Sequence, residues 1–216
     1  MDKPSVLKAI KQARENSKKR NFNQSFDVII TVKDLDLKKT ENQKDLFVAT
    51  HAPFTKKLKI CALVGSESVD ASQECDKVIS QDHFPEYEKD DKKVKKLAND
   101  YDFFIAQANI MPLVAKTFGK ILGRAGRMPN PKAGCVVPPK TNLKPLCDRL
   151  QKTVELKMRT APMVQCKVGL EDMKDEDIAE NIMIVFNAFL HALPNEQNNI
   201  NSVMLKTTMG KPVKLN

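Results

Sequence analysis

Ile60-Cys61-Ala62-Leu63-Val64-Gly65 is an unbroken apolar run closed by a glycine. A run this short, with no polar alternation, marks a strand buried on both faces, as happens where helices cover both sides of a parallel sheet. Downstream, Lys77–Ser80 and residues 102–106 (Asp102-Phe103-Phe104-Ile105-Ala106) read as further strands. Helices are expected around 69–75, over 89–99 with only Val94, Leu97 and Ala98 to bury, and from near Pro112 to Gly119. Glycine at that last position can take the left-handed conformation that ends a helix. Strands alternating with helices at this spacing predict βαβ units and a parallel sheet.

On either side of this block the texture differs. Residues 4–16 read as a helix, with Pro4 suited to its first turn and Val6, Ile10 and Ala13 on one face. Phe26, Val28, Ile30 and Val32 then alternate with Asp27, Ile29, Thr31 and Lys33, a strand with one wetter face. A short strand follows at 46–50. After Lys152, Val154, Leu156 and Met158 alternate with charged residues. Beyond Thr160-Ala161-Pro162 the alternation resumes at Val164, Cys166 and Val168, which predicts an antiparallel hairpin. Residues 175–193 form the clearest amphipathic helix, with Ile178, Ile182, Val185, Phe186, Phe189 and Leu193 on one face. Asp172, Asp175, Glu176 and Asp177 crowd its start. Capping and the helix dipole account for them, and a metal site is the costlier alternative. A final strand is expected over 202–207. The pattern predicts an α/β chain of two domains: a split α+β domain made of 1–56 and 153–216, and an inserted parallel α/β, Rossmann-like domain over 57–152. Two adjacent chain crossings would join them and make a natural hinge.

Composition narrows the function. With 41% apolar and 29% charged residues, the 216-residue chain reads as an ordinary globular protein. The net charge of +9 favours a polyanionic partner, most simply nucleic acid. An acidic membrane surface would satisfy the charge equally well, but no apolar run approaches the roughly 20 residues that span a bilayer, and no membrane partner is expected. The N-terminus shows no apolar signal core, which points to the cytosol. Residues 1–56 and 57–152 each carry a net charge of +5, whereas 153–216 carries −1. Three lysines of that last third, Lys206, Lys211 and Lys214, gather at one place, so their positive charge is local.

Catalytic constellations are missing. Gly65-Ser66-Glu67-Ser68-Val69-Asp70 has one glycine where a dinucleotide fingerprint needs three, and Glu67 would face phosphate. Gly119-Lys120 lacks the upstream glycine and the following hydroxyl of a P-loop. No serine or cysteine falls in a nucleophile motif with a histidine, so an enzyme is not expected. Cys61, Cys75, Cys135, Cys147 and Cys166 are scattered, with no C-x-x-C pair and no histidine at ligand spacing. They read as reduced core residues, with no metal and no cofactor.

Three stretches carry binding signals. Leu205-Lys206-Thr207-Thr208-Met209-Gly210-Lys211-Pro212 sets two hydroxyls, a thioether and a glycine between lysines as a strand runs out. Gly210 has no side chain to hold a ligand off the backbone. Residues 122–132, Leu122-Gly123-Arg124-Ala125-Gly126-Arg127-Met128-Pro129-Asn130-Pro131-Lys132, read as a basic loop able to embrace phosphate through Arg124, Arg127 and Lys132. The same loop also reads as a structural connection whose charges face water. Phe22 sits in a polar run just before the strand that begins near Ser25. It is either a core residue at a strand end or a ring presented to a ribose or base.

The Thr208-Met209-Gly210 triplet near the C-terminus resembles a hallmark of the L-one family of large-subunit ribosomal proteins, and the split-domain layout resembles that family over essentially the whole chain. The loop at 122–132 is similar to the family signature, with Arg124 where a proline is usual and Ala125 where a basic residue is usual. Phe22, Ser25 and Asp27 match a phenylalanine, a Ser or Thr, and an acidic residue of the family's RNA-binding surface, while Asn21 replaces a lysine frequent in bacterial members. The resemblance implies a ribosomal stalk protein of archaeal or eukaryotic type that binds large-subunit ribosomal RNA through Phe22, Ser25, Asp27, Lys206, Thr207, Thr208, Met209 and Gly210. It also implies assistance to exit-site tRNA release, repression of translation through the protein's own mRNA in some members, and a monomeric state away from the ribosome. A free regulatory nucleic-acid-binding protein is the alternative, and a nucleotide-dependent enzyme a more distant one.

Overall fold

The computed structural model describes residues 1–39, 42–55, 57–65, 75–88, 90–139 and 141–215. Its elements run α1 (Lys3–Glu15), β1 (Ser25–Val32), β2 (Lys44–Ala49), β3 (Ile60–Val64), β4 (Lys77–Ser80), α2 (Phe84–Glu88), α3 (Asp91–Asp100) and β5 (Phe103–Gln107). They continue with α4 (Met111–Arg124), β6 (Val136–Val137), α5 (Lys144–Leu150), β7 (Thr153–Met158), β8 (Met163–Leu170), α6 (Asp175–Ala192), β9 (Ile200–Thr207) and β10 (Val213–Leu215). The fold is mixed α/β, and the described residues form one parallel sheet and two antiparallel ones. By contacts the chain divides into two compact units, Met1–Lys56 with Lys152–Asn216, and Lys57–Gln151.

In the unit of residues 57–151 the sheet order is β4-β3-β5-β6, each neighbouring pair parallel. Every residue of β3 is buried, as its unbroken apolar composition requires. The core gathers Leu63, Phe104, Val94, Val114, Phe118 and Leu122, and Phe84 meets Phe118 edge to face at 5.2 Å.

Helix α4 does not stop at Gly119. Its buried residues Val114, Phe118 and Leu122 recur every four positions, and this apolar face carries the helix past a glycine that costs it about 1 kcal/mol. The true stop is Gly126, at φ 67°. Its N–H donates to Gly123 O at 3.1 Å, and Arg127 N–H donates to Leu122 O at 2.9 Å, the paired bonds of a Schellman ending. Leu122–Arg124 therefore belong to the helix, and the basic loop begins only at Ala125. The helix expected at 69–75 lies, apart from Cys75, outside the described residues.

The other unit is built on a four-stranded antiparallel sheet in the order β10-β9-β1-β8, with a two-stranded ladder of β2 and β7. Strand β1 is central and buries alternate residues, Phe26, Val28, Ile30 and Val32, against one core. Val6, Ile10 and Ala13 of α1 and Ile178, Ile182, Val185 and Phe189 of α6 fill that core. The other face of the sheet carries Ser25, Asp27, Ile29 and Thr31.

Two expectations need correction here. Strands β7 and β8 are not a hairpin: β7 pairs with β2 and β8 with β1. The short link between them turns a corner between sheets, and Val32 N–H donates to Pro162 O at 2.8 Å as β8 begins. Alternation reveals that a segment is a strand but not which strand it joins. Nor do the acids at the start of α6 cap it, since Lys174 occupies the cap position without a side-chain bond. Asp175 instead pairs with Arg14 at 2.8 Å, and Arg14 also donates to the carbonyls of Glu171 and Met173. With its guanidinium 5.1 Å from the Phe26 ring, Arg14 ties the end of α1 to the start of α6. Arg14→Met keeps the aliphatic stem but strips two carbonyls and a carboxylate of their donor. It should lower unfolding free energy by about 1–3 kcal/mol in urea denaturation. A loss within about 0.5 kcal/mol, the range of ordinary surface changes, would show that this tie is not structural.

Candidate nucleic-acid interface

The antiparallel register of β1 and β9 sets Phe26 opposite Thr207, Asp27 opposite Lys206 and Val28 opposite Leu205. Residues 25 and 208, at the open end of this pairing, are thereby joined. Ser25 N–H donates to Thr208 Oγ1 at 2.9 Å, and Thr208 N–H returns a bond to Ser25 O at 3.0 Å. The two hydroxyls lie 3.1 Å apart, and Ser25 Oγ donates to Asp27 Oδ1 at 3.1 Å. Ser25, Asp27, Lys206 and Thr208 thus form one polar group on the sheet face opposite the core.

Beneath it sits a residue the sequence did not single out. Gln24 is fully buried, and its amide nitrogen donates to Ser17 Oγ and to Lys18 O at 2.9 and 3.1 Å. Its side-chain oxygen accepts from Met209 N–H at 3.3 Å, so one side chain fastens the α1–β1 loop to the turn after β9. A glutamine in a polar run looks like solvent-facing loop, and nothing local in the sequence distinguishes it.

Two large apolar side chains are exposed among the described residues, Phe22 at 51% and Met209 at 62%. Phe22 lies two residues before Gln24, and Met209 is the residue whose N–H Gln24 holds. The core reading of Phe22 is therefore set aside. Both hydrophobes belong to segments that meet at the polar group, where water would otherwise cover them.

Thr207 differs from its neighbours. It is 1% exposed, so its side chain faces inward and is unavailable to a ligand in this conformation. Strand alternation explains this, since Val203, Leu205 and Thr207 share the buried face. Its Oγ1 is buried, without a hydrogen-bond partner among the described residues, and lies under Gly210. A Cβ at residue 210 would stand 2.2 Å from that oxygen. Gly210 is thus needed first by the turn itself, whose Gly210 N–H donates to Thr207 O at 3.2 Å.

Pairing with β8 adds residues that local reading could not place. Asp27 stands opposite Lys167 and Ile29 opposite Gln165. A shallow depression on this face is lined by Asp27, Ile29, Gln165, Cys166, Lys167 and Lys206. Alternation of Gln165 and Lys167 with buried neighbours was a usable signal once the partner strand was known. Asp27 thus lies between two lysines, one on each neighbouring strand.

The basic segment after α4 splits in the same way. Arg124 and Lys132 are exposed, but Arg127 turns back onto Tyr101 O and pairs with Asp102 at 3.2 Å. Arg127 therefore holds the start of β5 and is no free phosphate ligand. Among the described residues no three His, Cys, Asp or Glu side chains are grouped to hold a metal ion, and no helix is long and apolar enough to cross a membrane.

The clash beneath Gly210 can be tested directly. Gly210→Ala should cost about 1–3 kcal/mol of stability through overpacking. The same change made in a Thr207→Ala background should cost clearly less, because the offending oxygen is gone. Equal costs in both backgrounds, measured by urea denaturation, would contradict the packing described.

The profile of the Ribosomal protein L1p/L10e family matches residues 11–211 of this chain. The large ribosomal subunit protein uL1 of Methanothermococcus thermolithotrophicus is 41% identical over 216 residues, covering 100% of this chain and 99% of that protein. The protein of the same name from Methanobrevibacter smithii is 42% identical over 212 residues, 97% of this chain and 98% of its own length. That from Pyrococcus horikoshii is 38% identical over 216 residues, 99% and 96% of the respective chains.

Proposed function

The chain belongs to the ribosomal protein L1p/L10e family, and on that premise we propose that it is a cytoplasmic constituent of the large ribosomal subunit, of the archaeal type, that grips large-subunit ribosomal RNA around Ser25 and Thr208. Its relatives are named as large-subunit proteins, which supports the ribosomal role. One observation carries the choice of surface: the two exposed large hydrophobes, Phe22 and Met209, lie in the two segments that the Ser25–Thr208 cluster and Gln24 join.

The chemistry suits an RNA helix, which offers 2′-hydroxyls, phosphates and ribose faces across a shallow groove. The Ser25 and Thr208 hydroxyls keep lone pairs for a 2′-hydroxyl, and Asp27 accepts from a hydroxyl or an exocyclic amine. Lys206 answers a phosphate, while the Phe22 ring and the Met209 thioether cover ribose or base. Gly210 keeps the turn low, and Thr207 contributes from below by supporting that turn. Arg124 and Lys132 supply secondary contacts from the 57–151 unit, whereas Arg127 is committed to Tyr101 and Asp102. In this reading the two compact units are separately folding domains, and the split one is specific. Assistance to exit-site tRNA release, repression through the protein's own mRNA, and a monomeric state off the ribosome complete the proposal. The mRNA would use the same surface by presenting the same RNA shape.

Binding of purified large-subunit ribosomal RNA across a salt series tests the surface. Thr208→Val should weaken binding by about 0.5–1.5 kcal/mol with an unchanged salt slope. Lys206→Ala should weaken it and reduce the log–log salt slope by about 0.9 if it neutralises one phosphate. Lys95→Ala, on α3, should leave specificity intact. If Thr208→Val binds as wild type while Lys95→Ala abolishes specific binding, the interface lies elsewhere.

A chain joining residues 1–56 to 153–216 through a short flexible linker should fold cooperatively and retain most of the affinity. The 57–152 fragment should bind weakly and without preference. Equal affinity of the two pieces for the target RNA would overturn the division of labour.

A further inference from the structure

Four of the five cysteines, Cys61, Cys75, Cys135 and Cys147, lie in the 57–151 unit and play no part in the RNA reading. Cys75, just ahead of β4, and Cys147, in α5, are 72 positions apart, yet their sulfurs lie 3.4 Å from each other. We propose that Cys75 and Cys147 form a peroxide-responsive dithiol that closes to a disulfide within this unit.

The geometry is close to what closure requires. A disulfide needs its sulfurs at about 2.05 Å, so the pair must approach by about 1.4 Å. Access is unequal: Cys75 is buried and Cys147 only partly so. The hydrogen bond to Cys147, together with burial, pushes the Cys75 thiol up. Cys75 is therefore a poor first target, and the oxidant meets Cys147.

The remaining thiols are poor competitors. Burial pushes Cys61 and Cys166 up to about 12, and Cys135 up to about 11. Groups held protonated at neutral pH are weak nucleophiles.

The chemistry balances with hydrogen peroxide as oxidant. Cys147 sulfur attacks one peroxide oxygen, the O–O bond breaks, and the departing hydroxide takes the thiol proton to leave water and a sulfenic acid. Cys75 sulfur then attacks the Cys147 sulfur, the S–O bond breaks, and a second water leaves with the Cys75 proton. Two thiols lose two electrons and two protons, and one peroxide becomes two waters.

Closure would act on contacts at the points where the chain enters and leaves this unit. Asp76, beside Cys75, accepts from Ile60 N–H at 2.9 Å. Gln151, one residue past α5, accepts from Leu58 N–H at 2.8 Å and donates to Leu58 O at 2.7 Å. A bond between residues 75 and 147 would therefore stiffen both attachments at once.

The test uses the full-length chain, treated natively with hydrogen peroxide at a dose that converts free cysteine to cystine. Intact mass should fall by two hydrogens, and a non-reducing peptide map should show one linked pair, Cys75 with Cys147. Amide hydrogen exchange in α5 should slow on oxidation and recover on reduction. Cys75→Ser and Cys147→Ser should each abolish the link, while Cys61→Ser, Cys135→Ser and Cys166→Ser should keep it. Five thiols still free after treatment, a link through any other cysteine, or Cys147 over-oxidised with Cys75 still reduced would each overturn the proposal.

Discussion

The register of β1 against β9 is the constraint on which the molecule's candidate interface depends. It places Asp27 opposite Lys206, and it lets residues 25 and 208 exchange backbone and hydroxyl bonds across a separation of 183 positions. A slip of β1 by one residue would send Phe26 to the open face and bury Asp27, while Leu205 stayed in the core. The core enforces the observed pairing: Phe26, Val28, Ile30, Val203 and Leu205 all belong to one buried cluster. The same burial that stabilises the fold therefore composes the polar surface opposite it.

Below that surface lies a layer of support. Gln24 links the loop carrying Phe22 to the turn carrying Met209, and Thr207 packs under a glycine that leaves no room for a side chain. Arg14 holds the end of α1, from which the loop departs, against the start of α6. Each of these groups is recessed or paired, and each acts by holding others in place. A site built this way leaves its backbone with little entropy to lose on binding.

Much of this was legible in the amino-acid sequence, for reasons of periodicity. The all-apolar stretch 60–64 became the buried centre of a parallel sheet, and the two-residue alternation of 25–32 named the buried and open faces of β1. Phe22 and Met209 stood out as hydrophobes in polar company, and both are exposed. What stayed hidden depends on partners far along the chain. Alternation at 153–170 could not say that β7 and β8 enter different sheets, and Gly119 looked like a helix end until the apolar face through Leu122 outweighed it. Arg127 read as a phosphate ligand because the carbonyl and carboxylate it meets, at Tyr101 and Asp102, are over twenty residues away. Thr207 shared a motif with Thr208, but strand alternation turned it inward.

In the proposed function, RNA lies against the joined ends of β1 and β9. Ultraviolet crosslinking of the full-length chain to large-subunit ribosomal RNA, followed by peptide mass spectrometry, tests it most directly. Crosslinked nucleotides are expected on the peptides carrying Phe22 and Met209, with any attachment in the 57–151 unit weaker and confined to the neighbourhood of Arg124 and Lys132. Crosslinks found only within residues 57–151, with the Phe22 and Met209 peptides unmodified, would contradict it.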